Sequence, residues 1–134
     1  MKSVSTEAAS RAKEKYILGR NCCQAVINGT LEALYELKGE EYDPVLGWKI
    51  GRGFGDGMTM GLTCGAITGG IIVAGMYLDE SMKDIKNFVK DLFTSFELEF
   101  GSSTCKKIKD ETKCPNYTEW VARYMADILE RLWS

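Results

Sequence analysis

The chain has 134 residues, a formal net charge of -2 from 17 basic and 19 acidic residues, five cysteines and no histidine. That length suits a single domain, residues 1–134, able to bury its own core without disulfides. Interspersed charges give no electrostatic case for nucleic acid or an anionic membrane, and the lack of histidine removes the commonest general base and nitrogen ligand.

The first twenty residues, MKSVSTEAASRAKEKYILGR, hold no apolar core of a leader and no small-residue cleavage site, so a cytoplasmic location is expected. In that reducing setting, clustered cysteines read as metal-binding or redox-active groups before they read as structural disulfides. The first predicted helix covers Thr6 to Leu18, capped by Ser5 or Thr6, with Ala8, Ala12 and Tyr16 along one stripe and Gly19 ending it. Asn21 then caps a second helix. Gln24 stands in the reaching-back position of a capping box, which puts Cys22 and Cys23 in the first turn. Val26, Ile27, Leu31, Leu34 and Tyr35 carry this helix to about Leu37, before Gly39. Asp43 and Pro44 open a short third helix, Pro44 to Lys49, which runs into a glycine-rich loop.

Gly51, Gly53, Gly55, Gly57 and Gly61 precede Cys64, where the loop becomes a short apolar central helix beginning near Thr63. Gly65, Ala66, Gly69, Gly70 and Ala74 leave one face of that helix almost without bulk, so a neighbouring helix or a compact inorganic group can press against it. Met58 to Leu78 carries no charge, yet a helix of about 15 residues and roughly 23 Å is too short for a hydrocarbon core of roughly 30 Å. No membrane span is therefore expected.

Ser81, with Asp84 three residues on, opens the next helix, whose Ile85, Phe88, Val89, Leu92, Phe93, Phe96 and Phe100 recur at three- and four-residue steps before Gly101. The polar stretch SSTCKKIKDETKCPN carries Cys105 and Cys114 at its two ends. The last helix starts at Pro115 and turns Tyr117, Val121, Tyr124, Met125, Ile128, Leu129 and Leu132 inward. No alternating strand pattern or repeat intervenes. The expected fold is all-α, a helical bundle of about four main helices plus short ones, with the glycine-rich loop before the central helix.

On this map Cys22, Cys64 and Cys114 each stand at a helix N-terminus, where unpaired N–H groups and a partial positive charge favour a thiolate. The residues alone leave two readings open, scattered buried thiols and one shared four-cysteine site, because no pair has CxxC spacing. The Gly51–Gly57 run lacks the Gly-Lys-Ser/Thr ending of a phosphate loop and follows no strand, so it carries no nucleotide reading. Lys106, Lys107, Lys109 and Lys113 read as a solvated loop, or else as a docking patch for an acidic redox partner protein. Asp56 reads as a turn residue before a proton relay.

Five segments, NCCQAV (Asn21 to Val26), GRGFGDGM (Gly51 to Met58), CGAITGG (Cys64 to Gly70), FGSSTC (Phe100 to Cys105) and CPNYTEWVARYMADIL (Cys114 to Leu129), resemble the C-GCAxxG-C-C family of redox-active proteins. The resemblance makes Cys22, Cys64, Cys105 and Cys114 the four family cysteines and implies a helical fold with a redox role. A related segment in some multi-haem cytochromes is associated with an iron-sulfur centre. Here Cys23 takes a position that is usually small, the central motif reads Cys64-Gly65-Ala66 where the family label has Gly-Cys-Ala, and the loop from Cys105 to Cys114 is shorter.

The first expectation is therefore a 2Fe-2S cluster on Cys22, Cys64, Cys105 and Cys114, acting in electron transfer or redox sensing with a redox partner protein. A thiol-disulfide oxidoreductase, with Cys22 and Cys23 as attacking and resolving groups, is the second. The third is a structural zinc on the same four cysteines in an interaction module. Successive helix positions differ by about 100°, so Cys23 is expected to pack inside while Cys22 faces the site. The oligomeric state stays open, a homodimer included.

Overall fold

Ser3, in extended backbone, accepts a hydrogen bond from the Thr6 N–H at 3.1 Å and caps helix α1 (Val4–Ile17). The helix thus begins ahead of the expected Thr6. The physical reason is Val4, 1 % exposed, which extends the apolar stripe of Ala8 and Ala12 by one turn toward the N-terminus. A tight turn at Gly19 leads to α2 (Cys22–Lys38), where the expected capping box is formed in both directions. Asn21 Oδ1 accepts from the Gln24 N–H at 2.8 Å, and Gln24 Oε1 accepts from the Asn21 N–H at 3.1 Å. Asp43 caps α3 (Pro44–Ile50) with Pro44 in its first turn, as the sequence indicates.

A computed structural model describes residues 3–78 and 82–132. Beyond the glycine loop come α4 (Gly65–Tyr77), α5 (Met82–Phe100), α6 (Cys105–Ile108) and α7 (Cys114–Leu132). Ser81, the expected cap of α5, lies outside the described residues. The loop between Gly101 and Cys114, expected to be irregular, contains the single turn of α6. Among the described residues the fold is all-α, with no strand and one isolated antiparallel residue pair, Thr63 with Thr104. No helix among them is long and apolar enough to cross a membrane.

Helices α1, α2, α4 and α7 surround the core, where Ile27, Leu34, Ile67, Val121, Met125 and Leu129 are fully buried. Helix α5 closes the core through its aromatic stripe. Phe96 meets the rings of Tyr117 and Trp120 edge-on at 5.7 and 5.6 Å, and Phe88 meets Tyr124 at 6.3 Å. Such pairs each contribute about 0.5–1.5 kcal/mol beyond the area they bury. On the outer side of the α1–α2 hairpin, Arg11 bridges Glu7, Glu32 and Glu36, while Lys15 reaches Glu32 at 2.7 Å.

The bare face of α4 serves helix packing. A Cβ on Gly69 would sit 2.9 Å from the Cys23 carbonyl oxygen and 3.0 Å from the Val26 Cβ, so α2 lies directly on it. Gly70 faces the other way, toward Val121 of α7 and Leu92 of α5. Gly75, by contrast, has nothing within 4 Å. We therefore expect Gly69→Leu to lower unfolding free energy by about 1–3 kcal/mol through overpacking. Gly75→Ala in the same helix should raise it by as much as about 1 kcal/mol, because only helix propensity changes there. Denaturant titration of the two variants checks this contrast, and a Gly69→Leu protein of wild-type stability would contradict the close crossing.

Candidate functional site

The site grows from the same crossing. A Cβ on Gly65 would stand 2.9 Å from the Phe54 carbonyl oxygen and 3.3 Å from the Cys22 Cβ, so the first turns of α2 and α4 meet without a side chain between them. This brings Cys22, the first residue of α2, beside Cys64, the cap position of α4. A short antiparallel pairing then adds Cys105. The Cys64 N–H donates to the Ser103 carbonyl at 2.8 Å, the Cys105 N–H donates to the Leu62 carbonyl, and Thr63 opposes Thr104. Side chains alternate along paired extended chain, so Cys64 and Cys105, each one residue beyond the opposed threonines, project to the same side.

Cys114 arrives as the first residue of α7. Its N–H donates to the Asp110 carbonyl at 2.8 Å, and the Tyr117 hydroxyl donates to the Ile108 carbonyl at 2.9 Å, fastening the α6–α7 connection onto α7. Cys22, Cys64, Cys105 and Cys114 together line one open cavity of about 500 Å³, which Tyr16 and Lys109 also face. Cys105 fronts a second cavity of about 520 Å³ with Met60 and Lys106. Cys23 is not at the site. It is fully buried between α2 and α4 and faces Thr68, as its position one residue round the helix requires.

The family model described as "Putative redox-active protein (C_GCAxxG_C_C)" matches residues 20–128, a span that includes all four cavity cysteines. The chain belongs to the C_GCAxxG_C_C family. No curated protein and no solved structure matches the chain. In this C_GCAxxG_C_C protein all five cysteines are free thiols. Among the described residues, no three Cys, Asp or Glu side chains stand close enough together to hold one metal ion between them.

The four cavity thiols differ electrostatically. Cys22, beside Cys114 and largely buried, has its pKa raised well above the ordinary thiol range. The Cys114 pKa falls, first because the Cys22 thiol donates to its sulfur; a main-chain bond at Asp110, the Tyr16 hydroxyl and the Lys109 charge add to the fall against the opposing cost of burial. Burial pushes Cys64 up to about 11, although the N–H groups of Ala66 and Ile67 pull it back without reaching the geometry of a side-chain cap. Burial, then the Asp56 carboxylate, raises Cys105. Lys109 pairs with Asp56 at 2.9 Å at the cavity mouth, so of the four loop lysines it is the one drawn into the site.

Two features escaped the sequence reading. Tyr16, placed on an apolar stripe, also lines the cavity with Cys114; the signal was the short connection to Asn21, which must return the end of α1 to the start of α2. The other is a left-handed turn formed by Asp56, Met58 and Thr59 at φ 54°, 58° and 67° with Gly57 between them. Gly57 is required there twice over, by its φ of 62° and by the Cys105 Cβ, which a side chain would meet at 2.8 Å. Holding non-glycine residues in this region costs about 1–2 kcal/mol each, so the cavity wall is built in a strained form.

Since the thiolate is the nucleophile, the metal-free protein should alkylate fastest at Cys114 at neutral pH. Its rate should level off at a lower pH than that of Cys105, because Cys114 is shifted down and Cys105 up. Cys23, pushed up to about 12 by burial, should stay unmodified until the protein unfolds. Peptide mapping after timed iodoacetamide treatment reads all three, and equal rates at Cys105 and Cys114 would contradict this charge distribution.

Proposed function

We propose that Cys22, Cys64, Cys105 and Cys114 hold a two-iron iron-sulfur cluster and that the protein transfers or senses single electrons through it. The observation that supports this reading is that all four thiols, brought from four separate segments, line one cavity. Each iron of a binuclear cluster takes two thiolates, whereas one zinc needs four sulfurs converging at about 2.3 Å. A donor set of cysteines without histidine is also the chemistry of that cluster.

The bound group would supply a one-electron couple; the chain supplies its setting. Three of the four sulfurs start helices of thirteen residues or more, whose N-terminal dipoles offset anionic charge. Tyr117 and the adjoining core exclude water from the inner wall, and Lys109 brings a cation to the outer one. Exposed Lys106, Lys107 and Lys113, on the segment between Cys105 and Cys114, suit an acidic redox partner protein.

One feature favours a second reading: Cys22 and Cys114 line the same cavity, and Cys22 first among its neighbours holds the Cys114 thiol below the ordinary range. In that chemistry the Cys114 thiolate attacks a substrate disulfide and expels one substrate thiolate. Cys22 then loses its proton, attacks the Cys114 sulfur and expels the second, so the substrate is reduced while a Cys22–Cys114 disulfide forms. Cys23 has no part in it, since it faces away from the cavity.

Anaerobic reconstitution separates the two. The cluster reading expects visible absorbance with about two iron and two sulfide per chain, lost in serine variants of Cys22, Cys64, Cys105 or Cys114 and kept in Cys23→Ala. A colourless protein that forms a Cys22–Cys114 disulfide with mild oxidant would overturn it in favour of the dithiol.

A further inference from the structure

We infer that Gln24 and Asn28, together with Asn21, are positioning residues for Cys105, holding from α2 the loop on which that cysteine is seated. The three follow one another from the cap of α2 along one stripe, at steps of three and four residues, and each donates its side-chain amide to main-chain carbonyls of the segment running from α3 into the glycine loop. Asn28 Nδ2 donates to the Pro44 carbonyl at 3.0 Å, Gln24 Nε2 to Trp48 at 2.8 Å, and Asn21 Nδ2 to Gly51 at 3.1 Å and Arg52 at 3.3 Å. Facing them stand three glycines at matching intervals. A Cβ on Gly47 would collide with Asn28 Oδ1, one on Gly51 would sit 2.9 Å from the Gln24 Cγ, and one on Gly55 2.7 Å from the Asn21 Cβ. None of the three has a positive φ, so what glycine supplies there is space.

These amides matter because the segment has little else to hold it. Gly47 is the one buried residue of α3, while Val45, Leu46 and Ile50 are 53, 48 and 40 % exposed. Asn28 is fully buried and its Oδ1 has no partner among the described residues, so a side chain costly to bury is kept for the bond its Nδ2 makes to α3. Downstream the same segment becomes the left-handed turn that carries Cys105. The Cys105 N–H donates to the Leu62 carbonyl, Lys109 pairs with Asp56, and Gly57 lies against the Cys105 Cβ. Cys22, Cys64 and Cys114 begin helices packed into the core and do not depend on this path. Correct placement of Cys105 matters equally to a metal centre and to thiol exchange at the cavity.

The test is timed iodoacetamide alkylation with peptide mapping of the reduced, metal-free protein as wild type, Asn28→Ala and Gly47→Ala. Asn28→Ala removes one amide and leaves the Asn21–Gln24 box intact, whereas Gly47→Ala favours helix locally yet presses α3 away from Asn28. Each variant should raise the Cys105 rate by about fivefold, the effect of one lost hydrogen bond on an opening equilibrium. Cys22 and Cys114 should react nearly as in wild type, and Cys23 should stay unmodified. A Cys105 rate equal to wild type would overturn the role, and so would a rise shared by Cys23, which marks loosening of the whole domain. Should neither variant fold, hydrogen exchange of the wild-type protein decides: residues 44–62 and 104–109 are expected to open together, ahead of α2, α4 and α7, and separate opening of the two segments overturns the role. All these readouts are taken without metal, so they stand apart from the success or failure of reconstitution.

Discussion

The contact on which the cysteine end depends is made by atoms that are missing. At Gly69 a methyl group would press on the Cys23 carbonyl of α2, and at Gly65 on the Phe54 carbonyl with Cys22 of α2 close behind, so neither position of α4 has room for a side chain. Glycine inside a helix is destabilising by roughly 0.5–1 kcal/mol relative to alanine, so these positions keep it against local preference. What the crossing secures is register. With α4 seated on Cys23 and Val26, its cap position falls beside the first residue of α2, and two thiols distant in sequence become neighbours. A similar approach of Gly29 to the Ala12 main chain sets α1 against α2 and delivers Tyr16 to the same end.

Electrostatics then differentiate residues of one chemical type. Burial alone raises every thiol pKa, and it dominates at Cys23 and Cys64. At Cys114 the donors outweigh it. The cavity therefore holds one thiolate-favouring sulfur among proton-holding neighbours.

Local chemistry was legible in the sequence and non-local pairing was not. The Asn21–Gln24 box and the Asp43–Pro44 start are decided within four residues, so their side chains announce them. The inward periodicity of α5 and α7 was equally plain, because an amphipathic stripe is written at fixed intervals. The four cavity cysteines could be named from pattern and resemblance, yet their grouping around one cavity depends on Thr63 opposing Thr104, a single residue pair too short to leave an alternating signature. The start of α1 at Val4 was missed because burial of one side chain by other helices extended a helix whose local caps suggested otherwise. The left-handed turn was half legible. Its glycines were visible, but nothing local foretells Asp56, Met58 and Thr59 in a conformation that only surrounding structure can hold.

The pairing that brings Cys105 to the cavity differs in kind from the crossings that bring the others. Cys22, Cys64 and Cys114 begin helices whose apolar faces belong to the common core, so separating them means unfolding the domain. Cys105 hangs on one turn of helix packed chiefly on the left-handed loop, with a few main-chain bonds and a small apolar anchor at Ile108. Segments with so little buried apolar surface open at a fraction of the global free energy. The cavity thus has three fixed corners and one hinged corner, the hinged one also fronting the second cavity. Opening of that segment would leave the helical scaffold and the other three cavity thiols in place.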